Sequence, residues 1–232
     1  MTPLERRIRA VVFDLDDTLY PEIQYVRSGF RAAARQLARP GVGPSIEAVL
    51  DELLYAFRTG PRDRVFNTVL AQLGRPSDPE TINELVQVYR THRPDLRLDP
   101  AVARTLEELR ERHKLAVLSD GYLPAQQYKL EALSLRGAFD FVLFTESLGR
   151  GFWKPHPRSF ELTAEALGVP PEQCAYVADN PAKDFLAPNG LGWMTVEVNQ
   201  AQRLQRKEPA TPEHRAQHTI SSPTELPRLL QG

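Results

Sequence analysis

Two aspartates and a threonine directly follow an apolar run near the start of the chain. The run Val11-Val12-Phe13 is rich in β-favouring residues and leads into Asp14, with Asp16 and Thr18 at the next alternate positions. Because side chains two residues apart on a strand point to the same face, the two carboxylates can converge as the strand leaves its sheet. Such carboxylates repel each other unless a cation or a shared proton lies between them, and Mg²⁺ prefers oxygen ligands of this kind. An acidic turn after a strand gives the same pattern, so this motif alone leaves both interpretations open.

Three later segments carry polar residues of a similar kind. Ser119-Asp120-Gly121 follows an apolar run and precedes Pro124, where a hydroxyl and backbone N–H groups near a helix start can hold a phosphate. Lys154 lies in a proline-flanked loop and can direct a positive charge at carboxylates or at a phosphate. Asp179 follows another apolar run, with Asp184 five residues later, and the two can complete a metal site. Each segment taken singly is equally typical of a capped turn or a solvated lysine.

The composition of the chain limits the classes of function. Its 232 residues, 41% hydrophobic and 25% charged, are typical of a globular protein with one large domain or a domain carrying an insertion. The formal net charge of −1 gives no reason to expect a nucleic acid or a membrane as partner. The single cysteine, Cys174, excludes an internal disulfide and fits a reducing compartment. With no transmembrane-length apolar run and no signal-peptide core, we expect a cytoplasmic protein. The oligomeric state is not indicated.

Strand and helix patterns alternate through most of the chain, which predicts an α/β fold with a Rossmann-like, doubly wound parallel sheet. Apolar runs predict strands at 9–13, 115–118, 139–144, 174–178 and 193–198, with a strand edge and a short closing helix within 220–226. Helical patterns lie between the strands, at 101–112, 124–133, 157–167 and 182–189. Because the carboxyl ends of parallel strands meet at one rim, the polar residues that follow the runs should gather there.

One long interval contains helical patterns only. It predicts an inserted all-helical cap domain at residues 20–95, with the α/β catalytic core formed by 1–19 and 96–232. Stretches rich in proline and glycine separate four expected cap helices, at 23–38, 45–59, 62–73 and 79–91.

Taken in this order, the four polar motifs resemble those of the haloacid dehalogenase superfamily of phosphohydrolases. The helical insertion is similar in position to the C1-type cap of that family, so the resemblance covers nearly the whole chain. The run Gly151-Phe152-Trp153-Lys154-Pro155-His156-Pro157-Arg158-Ser159-Phe160 is similar to the branch of phosphoglycolate phosphatase-like and nucleotidase-like enzymes.

The resemblance implies a role for each motif residue. Asp14 is the expected nucleophile that forms an aspartyl-phosphate, Asp16 is the expected general acid and base, and Lys154 balances charge. The expected substrate-binding residues are Thr18, which also orients its loop, and Ser119, Asp120 and Gly121. Such chemistry splits phosphate-ester hydrolysis into two displacements, each of which needs a positioned carboxylate.

The resemblance also implies Mg²⁺ as cofactor. Its expected ligands are the Asp14 carboxylate, the Asp16 backbone carbonyl and the Asp179 carboxylate, with Asp184 supporting them by hydrogen bonds or through water. Mg²⁺ would offset the repulsion between an anionic nucleophile and an anionic substrate.

Asp16 discriminates between rival functions. Dehalogenases of the superfamily lack an acid/base aspartate two positions after the nucleophile and need no Mg²⁺, so hydrolysis of a small phosphate monoester is expected here. A phosphomutase of the β-phosphoglucomutase type shares the same motifs and stays the alternative. A non-catalytic binding module is less favoured because every motif residue is present.

The substrate is not fixed by these residues beyond a small phosphorylated metabolite, with nucleoside monophosphates and sugar phosphates as leading examples. Tyr20 and Tyr122, each just beyond a motif, can contact a leaving group or simply pack. Several cap arginines can meet an anionic substrate or form a solvated helix face, namely Arg27, Arg31, Arg58, Arg62 and Arg64.

Overall fold

The computed structural model describes residues 7–38, 43–204 and 207–231. Contacts divide the chain into one unit formed by Met1–Glu22 and Arg97–Gly232 and a second formed by Ile23–Leu96. Within the described ranges, every helix is too short or too polar to cross a membrane.

The strands, in chain order, are β1 (Ala10–Phe13), β2 (Lys114–Ser119), β3 (Phe141–Phe144), β4 (Cys174–Ala178), β5 (Met194–Val198) and β6 (His218–Ile220). The helices are α1 (Ile23–Leu37), α2 (Ile46–Thr59), α3 (Val65–Gln72), α4 (Pro79–Thr91), α5 (Pro100–Arg110), α6 (Ala125–Ala132), α7 (Arg158–Leu167), α8 (Leu186–Gly190) and α9 (Leu226–Leu229).

The strands of the first unit form one parallel sheet in the order β3-β2-β1-β4-β5-β6. The central strand β1 pairs with β2 and β4, so that Phe13 is aligned with both Val117 and Val177. This register brings the residues that follow β1, β2 and β4 to the same edge of the sheet. The predicted α/β class with a doubly wound parallel sheet is confirmed.

Helices cover the sheet on both faces, which explains why its central strands are continuously apolar. Every residue of β1 is fully buried. On one face, the Phe160 ring of α7 packs edge-on against Tyr176 of β4 at 4.9 Å and against Trp193 at 5.7 Å. This packing fixes the Tyr176 ring, whose hydroxyl reaches the site described below.

One helix of this unit begins later than the sequence predicts. The pattern predicted a helix over 182–189, whereas α8 spans Leu186–Gly190. In the preceding turn, the Asn180 side chain accepts from the backbone N–H of Ala182 at 3.1 Å, and Asp184 accepts from that of Asn180 at 3.0 Å. These local side-chain bonds compete with helical hydrogen bonds and delay the helix.

The second unit contains α1 to α4. Its centre is aromatic: the Phe30 ring contacts Phe57, Phe66 and Tyr89 at centroid distances of 5.6, 6.0 and 5.4 Å. The predicted helix over 62–73 is divided into a 3₁₀ turn at Arg62–Arg64 and helix α3.

The five arginines that the sequence offers for contact with an anionic substrate do not form a single cluster in this unit. Arg27 and Arg31 line one cavity of about 540 Å³, and Arg31 also pairs with Glu47 at 3.2 Å. The Arg62 guanidinium instead lies over the Phe57 ring, 4.5 Å from its centroid. Two further arginines, Arg58 and Arg64, are exposed.

Gly29 on α1 permits the Tyr89 ring to pack closely against the helix. A Cβ at Gly29 would lie 2.5 Å from Cδ2 of Tyr89. We expect Gly29→Ala to lower the free energy of unfolding by about 1–3 kcal/mol, because the ring must shift even though alanine favours helices. Thermal and urea unfolding measure this. Gly190→Ala, whose Cβ would meet nothing within 4 Å, is the matched control; equal stability of the two variants would contradict the packing argument.

Candidate active site

Asp14 lies at the carboxyl end of the central strand, with its backbone still bound to the sheet. Its N–H donates to the carbonyl of Val177 at 2.9 Å, one residue beyond β1. Its side chain is buried, and one carboxylate oxygen lies 3.1 Å from Nζ of Lys154. Burial raises the pKa of Asp14, the positive charge of Lys154 opposes that change, and Asp184 adds to it.

Lys154 is a buried cation at the centre of the site. Its Nζ lies 3.1 Å from Asp14 Oδ1 and 2.7 Å from Asp184 Oδ1, and it donates to the Tyr176 hydroxyl at 2.8 Å. Burial alone would lower the pKa of Lys154, but the carboxylates of Asp14 and Asp184 outweigh it and hold that pKa well above its ordinary value. The lysine therefore stays charged inside the protein.

Three carboxylates lie close enough to share a metal ion. Asp14, Asp179 and Asp184 are buried, and each offers an oxygen within 4.8 Å of the others. Burial and the neighbouring Asp184 and Asp14 raise the pKa of Asp179 to about 9. The Asp179 carboxyl forms no ion pair with any residue in the described ranges, whereas the other two contact Lys154. A group of hard oxygen donors with this deficit of positive charge fits a divalent cation such as Mg²⁺.

The Asp16 side chain is not part of this group of three. It is bound instead by three other side chains: Nζ of Lys129 at 2.7 and 2.8 Å, Nε2 of Gln126 at 3.1 Å and the hydroxyl of Tyr20 at 2.5 Å. Burial favours a higher pKa for Asp16, but the Lys129 charge and these hydrogen bonds outweigh it and lower the pKa. Nearby, burial and the Asp16 charge raise the pKa of Glu22 to about 7.

Asp120 joins the ends of three chain segments. Its carboxylate accepts from the Thr145 hydroxyl at 2.7 Å, from the Lys154 backbone N–H at 3.2 Å and from Lys183 Nζ at 3.1 Å. Burial opposes the charge, but Lys154 and Lys183 outweigh it and lower the pKa of Asp120. Ser119 beside it is buried at the end of β2.

Gly121 adopts a backbone conformation that permits close packing by Gln126. Its φ is +139°, and a Cβ there would lie 2.2 Å from Gln126 Nε2. The same Nε2 also donates to the Asp120 carbonyl. Gln126 therefore connects the loop after β2 to the Asp16 carboxylate.

Thr18 is buried in the loop after β1. Its Oγ1 has no hydrogen-bond partner within the described residues, while its carbonyl accepts from Gln200 Nε2 at 3.1 Å. The neighbouring Asp17 has φ of +51°, and its carboxylate accepts from the backbone N–H groups of Glu22 at 2.8 Å and Leu204 at 2.7 Å. These bonds fix a loop that presents a buried hydroxyl with unused hydrogen-bonding capacity.

The two tyrosines singled out in the sequence have different surroundings. Tyr20 is buried and donates to Asp16. Tyr122 packs edge-on against Trp153 at 5.7 Å, with the Arg150 guanidinium 4.7 Å from its ring centroid.

Sequence reasoning missed four polar residues that contact the site: Gln126, Lys129, Tyr176 and Lys183. Helix α6 did carry a signal, since Gln126 and Lys129 occupy its buried face together with Ala125 and Leu130. Polar residues at inward-facing helical positions indicate a polar partner. Tyr176 lies within an apolar strand pattern and gave no such signal.

A family model of haloacid dehalogenase-like hydrolases matches residues 8–192. The chain belongs to this family. It is 31% identical over 226 residues to a glyceraldehyde 3-phosphate phosphatase of Methanopyrus kandleri, covering 94% of this chain and 95% of the relative. It is 32% identical over 241 residues to a phosphoserine phosphatase of Thermus thermophilus, covering 90% and 95%. The chain is a phosphoric monoester hydrolase of this superfamily.

The fold is shared with solved structures of other activity within the family. A 2-haloacid dehalogenase from Pseudomonas syringae pv. Tomato DC3000 superposes with a TM-score of 0.63 at 25% identity, covering 97% of this chain and 98% of the other. Fold similarity therefore does not by itself select the reaction.

Stability of the metal-free protein should fall as pH rises, because of Asp179. Between about pH 4 and pH 9 the folded chain holds a proton on Asp179 that the unfolded chain has lost, so folding is penalised increasingly across this window. At pH 8, Asp179→Asn removes this penalty on folding. We expect it to raise the melting temperature of the metal-free protein by about 2–4 °C for each kcal/mol of the penalty removed. Mg²⁺ should stabilise the original chain more than the variant. The exposed Asp51→Asn is the control, and an unchanged pH profile in Asp179→Asn would contradict the assignment.

Substitution of Gly121 should disturb Asp16 through Gln126. We expect Gly121→Ala to lower activity by roughly 10- to 100-fold, because the new methyl group displaces the Gln126 amide. Gly149 also has positive φ, +94°, but a Cβ there would meet nothing within 4 Å. Gly149→Ala therefore shares the backbone strain without the displacement. Steady-state kinetics and melting curves of both variants separate the effects, and equal activity losses would refute the role of Gln126.

Proposed function

We propose that this chain hydrolyses the phosphate monoester of a small metabolite, using Mg²⁺ and an aspartyl-phosphate formed on Asp14. The observation that carries the proposal is the position of the buried Asp14 carboxylate, grouped with Asp179 and Asp184 and in contact with Lys154. A nucleophilic carboxylate beside a fixed cation and a metal-type cluster is suited to phosphoryl transfer.

In the first displacement, an oxygen of Asp14 attacks phosphorus and the bond to the leaving oxygen breaks. The Asp16 carboxylate, whose pKa is lowered in the free site, must first take up a proton from solvent. It then gives that proton to the leaving oxygen, so an alcohol leaves and Asp16 is a carboxylate again. The Lys154 charge reduces the repulsion between Asp14 and the phosphate dianion.

In the second displacement, a water oxygen attacks the phosphorus of the aspartyl-phosphate. The Asp16 carboxylate takes a proton from that water, and the bond from phosphorus to Asp14 breaks. Inorganic phosphate leaves, Asp14 is a free carboxylate again, and Asp16 carries the proton that the next first displacement needs.

The phosphoryl oxygens would be bound by the loops after β1 and β2. The buried Thr18 hydroxyl, with its unused hydrogen-bonding capacity, and Ser119 supply side-chain donors. The Asp120 carboxylate is already engaged by Thr145, Lys154 and Lys183, so the contribution of Asp120 and Gly121 falls to their backbone N–H groups.

The metal would be held by the carboxylates of Asp14 and Asp179 and by the Asp16 backbone carbonyl, with Asp184 supporting them. When bound, Mg²⁺ supplies positive charge that stabilises the phosphoryl oxygens during transfer. The raised pKa of Asp179 supports this assignment, since a divalent cation would take the place of the proton.

The relatives suggest the class of substrate. Their names specify glyceraldehyde 3-phosphate and phosphoserine, which are both phosphate esters of primary alcohols on three-carbon skeletons. We propose a substrate of this size and type, turned over in the cytoplasm. The separate helical unit Ile23–Leu96 supports our assignment of 20–95 as a cap and of 1–19 and 96–232 as the catalytic core.

Phosphate release from a panel of phosphate monoesters tests the proposal. The panel contains both three-carbon esters, sugar phosphates and nucleoside monophosphates, each with and without Mg²⁺. We expect Mg²⁺-dependent release by the original chain and by the exposed control Asp51→Asn, and a loss of at least about 10³-fold in Asp14→Asn, which lacks the nucleophile.

Three results would contradict it. Full activity of Asp14→Asn would refute the assignment of Asp14 as the nucleophile. Isomerised ester without inorganic phosphate would indicate the phosphomutase alternative. In a separate assay with 2-chloropropionate, halide release, together with no phosphate release from the panel, would indicate a dehalogenase.

A further inference from the structure

We infer that Lys129 is a positioning residue that acts through Asp16 and supports proton donation to the leaving oxygen. The inference rests on the proposed function and names a residue that the catalytic motifs do not include. It is carried by the contacts of the Asp16 carboxylate with α6.

Lys129 is a buried lysine that contacts both oxygens of one carboxylate. Its Nζ lies 2.8 Å from Asp16 Oδ1 and 2.7 Å from Oδ2, and the side chains are only 6% and 18% exposed. Removing two charges from water is costly, and apolar residues of similar size usually stabilise a fold as well or better. A purely structural role would therefore not require this pair.

Four hydrogen bonds reach the Asp16 carboxylate, two from Lys129 and one each from Tyr20 and Gln126. A carboxylate offers about four acceptor sites, so the arrangement is saturated. To exchange a proton with substrate, Asp16 must release one donor. All of these bonds are charge-assisted because the carboxylate is ionised, but only Lys129 brings an opposite charge and contacts both oxygens, so Lys129 is the contact that remains.

The position of Lys129 matches the charge change of the first displacement. As the O–H bond of the Asp16 carboxyl breaks and its proton binds the leaving oxygen, negative charge develops on the Asp16 oxygens. The Lys129 ammonium already lies against those oxygens, so no rearrangement is needed to stabilise the developing charge. The benefit should be largest where the leaving oxygen most needs a proton.

Leaving-group dependence tests this inference. The two substrates are the best alkyl ester from the panel, whose alcohol leaves poorly without a proton, and p-nitrophenyl phosphate, whose phenolate leaves readily. The measured quantity is kcat/KM, which covers steps up to aspartyl-phosphate formation. We expect Lys129→Met to lower it by roughly 100-fold for the alkyl ester and by less than about 10-fold for p-nitrophenyl phosphate.

A double-mutant cycle shows whether Lys129 acts through Asp16. In an Asp16→Asn background, Lys129→Met should cause no further loss on either substrate. Lys129→Arg, which keeps the charge, should restore most of the alkyl-ester activity. Lys114→Met is the matched control. Lys114 lies at the end of β2 opposite to Ser119, where its Nζ donates to the Leu167 carbonyl. Lys129→Gln, which keeps a donor, takes the place of Lys129→Met if melting curves show that the latter does not fold.

The outcomes separate this inference from the proposed function. If the original chain is active but Lys129→Met lowers kcat/KM by the same factor for both substrates, the role of Lys129 is overturned and the proposed function stands. The same holds if the losses caused by Lys129→Met and Asp16→Asn are additive. Unchanged kinetics in Lys129→Met would overturn the role of Lys129 as well. No phosphate release by the original chain would overturn the proposed function and this inference with it.

Discussion

A lysine buried between carboxylates is the interaction on which the site depends. Lys154 has almost no access to water, and its charge is stable only because Asp14 and Asp184 lie within 3.1 and 2.7 Å of it. The dependence is mutual, since these carboxylates would otherwise repel each other in the same low-dielectric space. The backbone of Lys154 is bound by Asp120, which extends the constraint to the loop after β2. Loss of the Lys154 charge would leave both carboxylates buried without this cation, and loss of Asp14 or Asp184 would leave Lys154 with only one of its two carboxylates.

The sheet explains how residues so distant in sequence meet. Because β1 lies between β2 and β4, the segments that follow these strands emerge side by side at one edge. Asp14, Ser119 and Asp179 each come at or directly after the end of such a strand. Carboxylates outnumber cationic side chains at this edge, since Asp179 has no ion pair within the described residues and has a raised pKa. A fold that holds this excess of negative charge is prepared for a cation before any substrate enters.

Much of this could be predicted from the sequence, because parallel strands leave a local signature. Apolar runs bounded by polar residues located the strands to within about two residues. The order of the motifs singled out Asp14, Lys154 and Asp179, which the structure brings close together. The sequence could not reveal contacts made across the fold. The bond of Tyr176 to Lys154 depends on strand order, and the clamp that Asp120 forms with Thr145 depends on the pairing of β2 with β3. The late start of α8 depends on side-chain bonds that no helical periodicity contains.

The decisive measurement is to identify which residue carries the phosphoryl group during turnover. The enzyme would be quenched during turnover of its best substrate, treated with borohydride, which reduces an acyl phosphate to an alcohol, and mapped by peptide mass spectrometry. We expect homoserine in place of aspartate at Asp14, formed only when both substrate and Mg²⁺ are present. Conversion at another aspartate, or turnover with Asp14 unmodified throughout, would contradict the proposed role of Asp14.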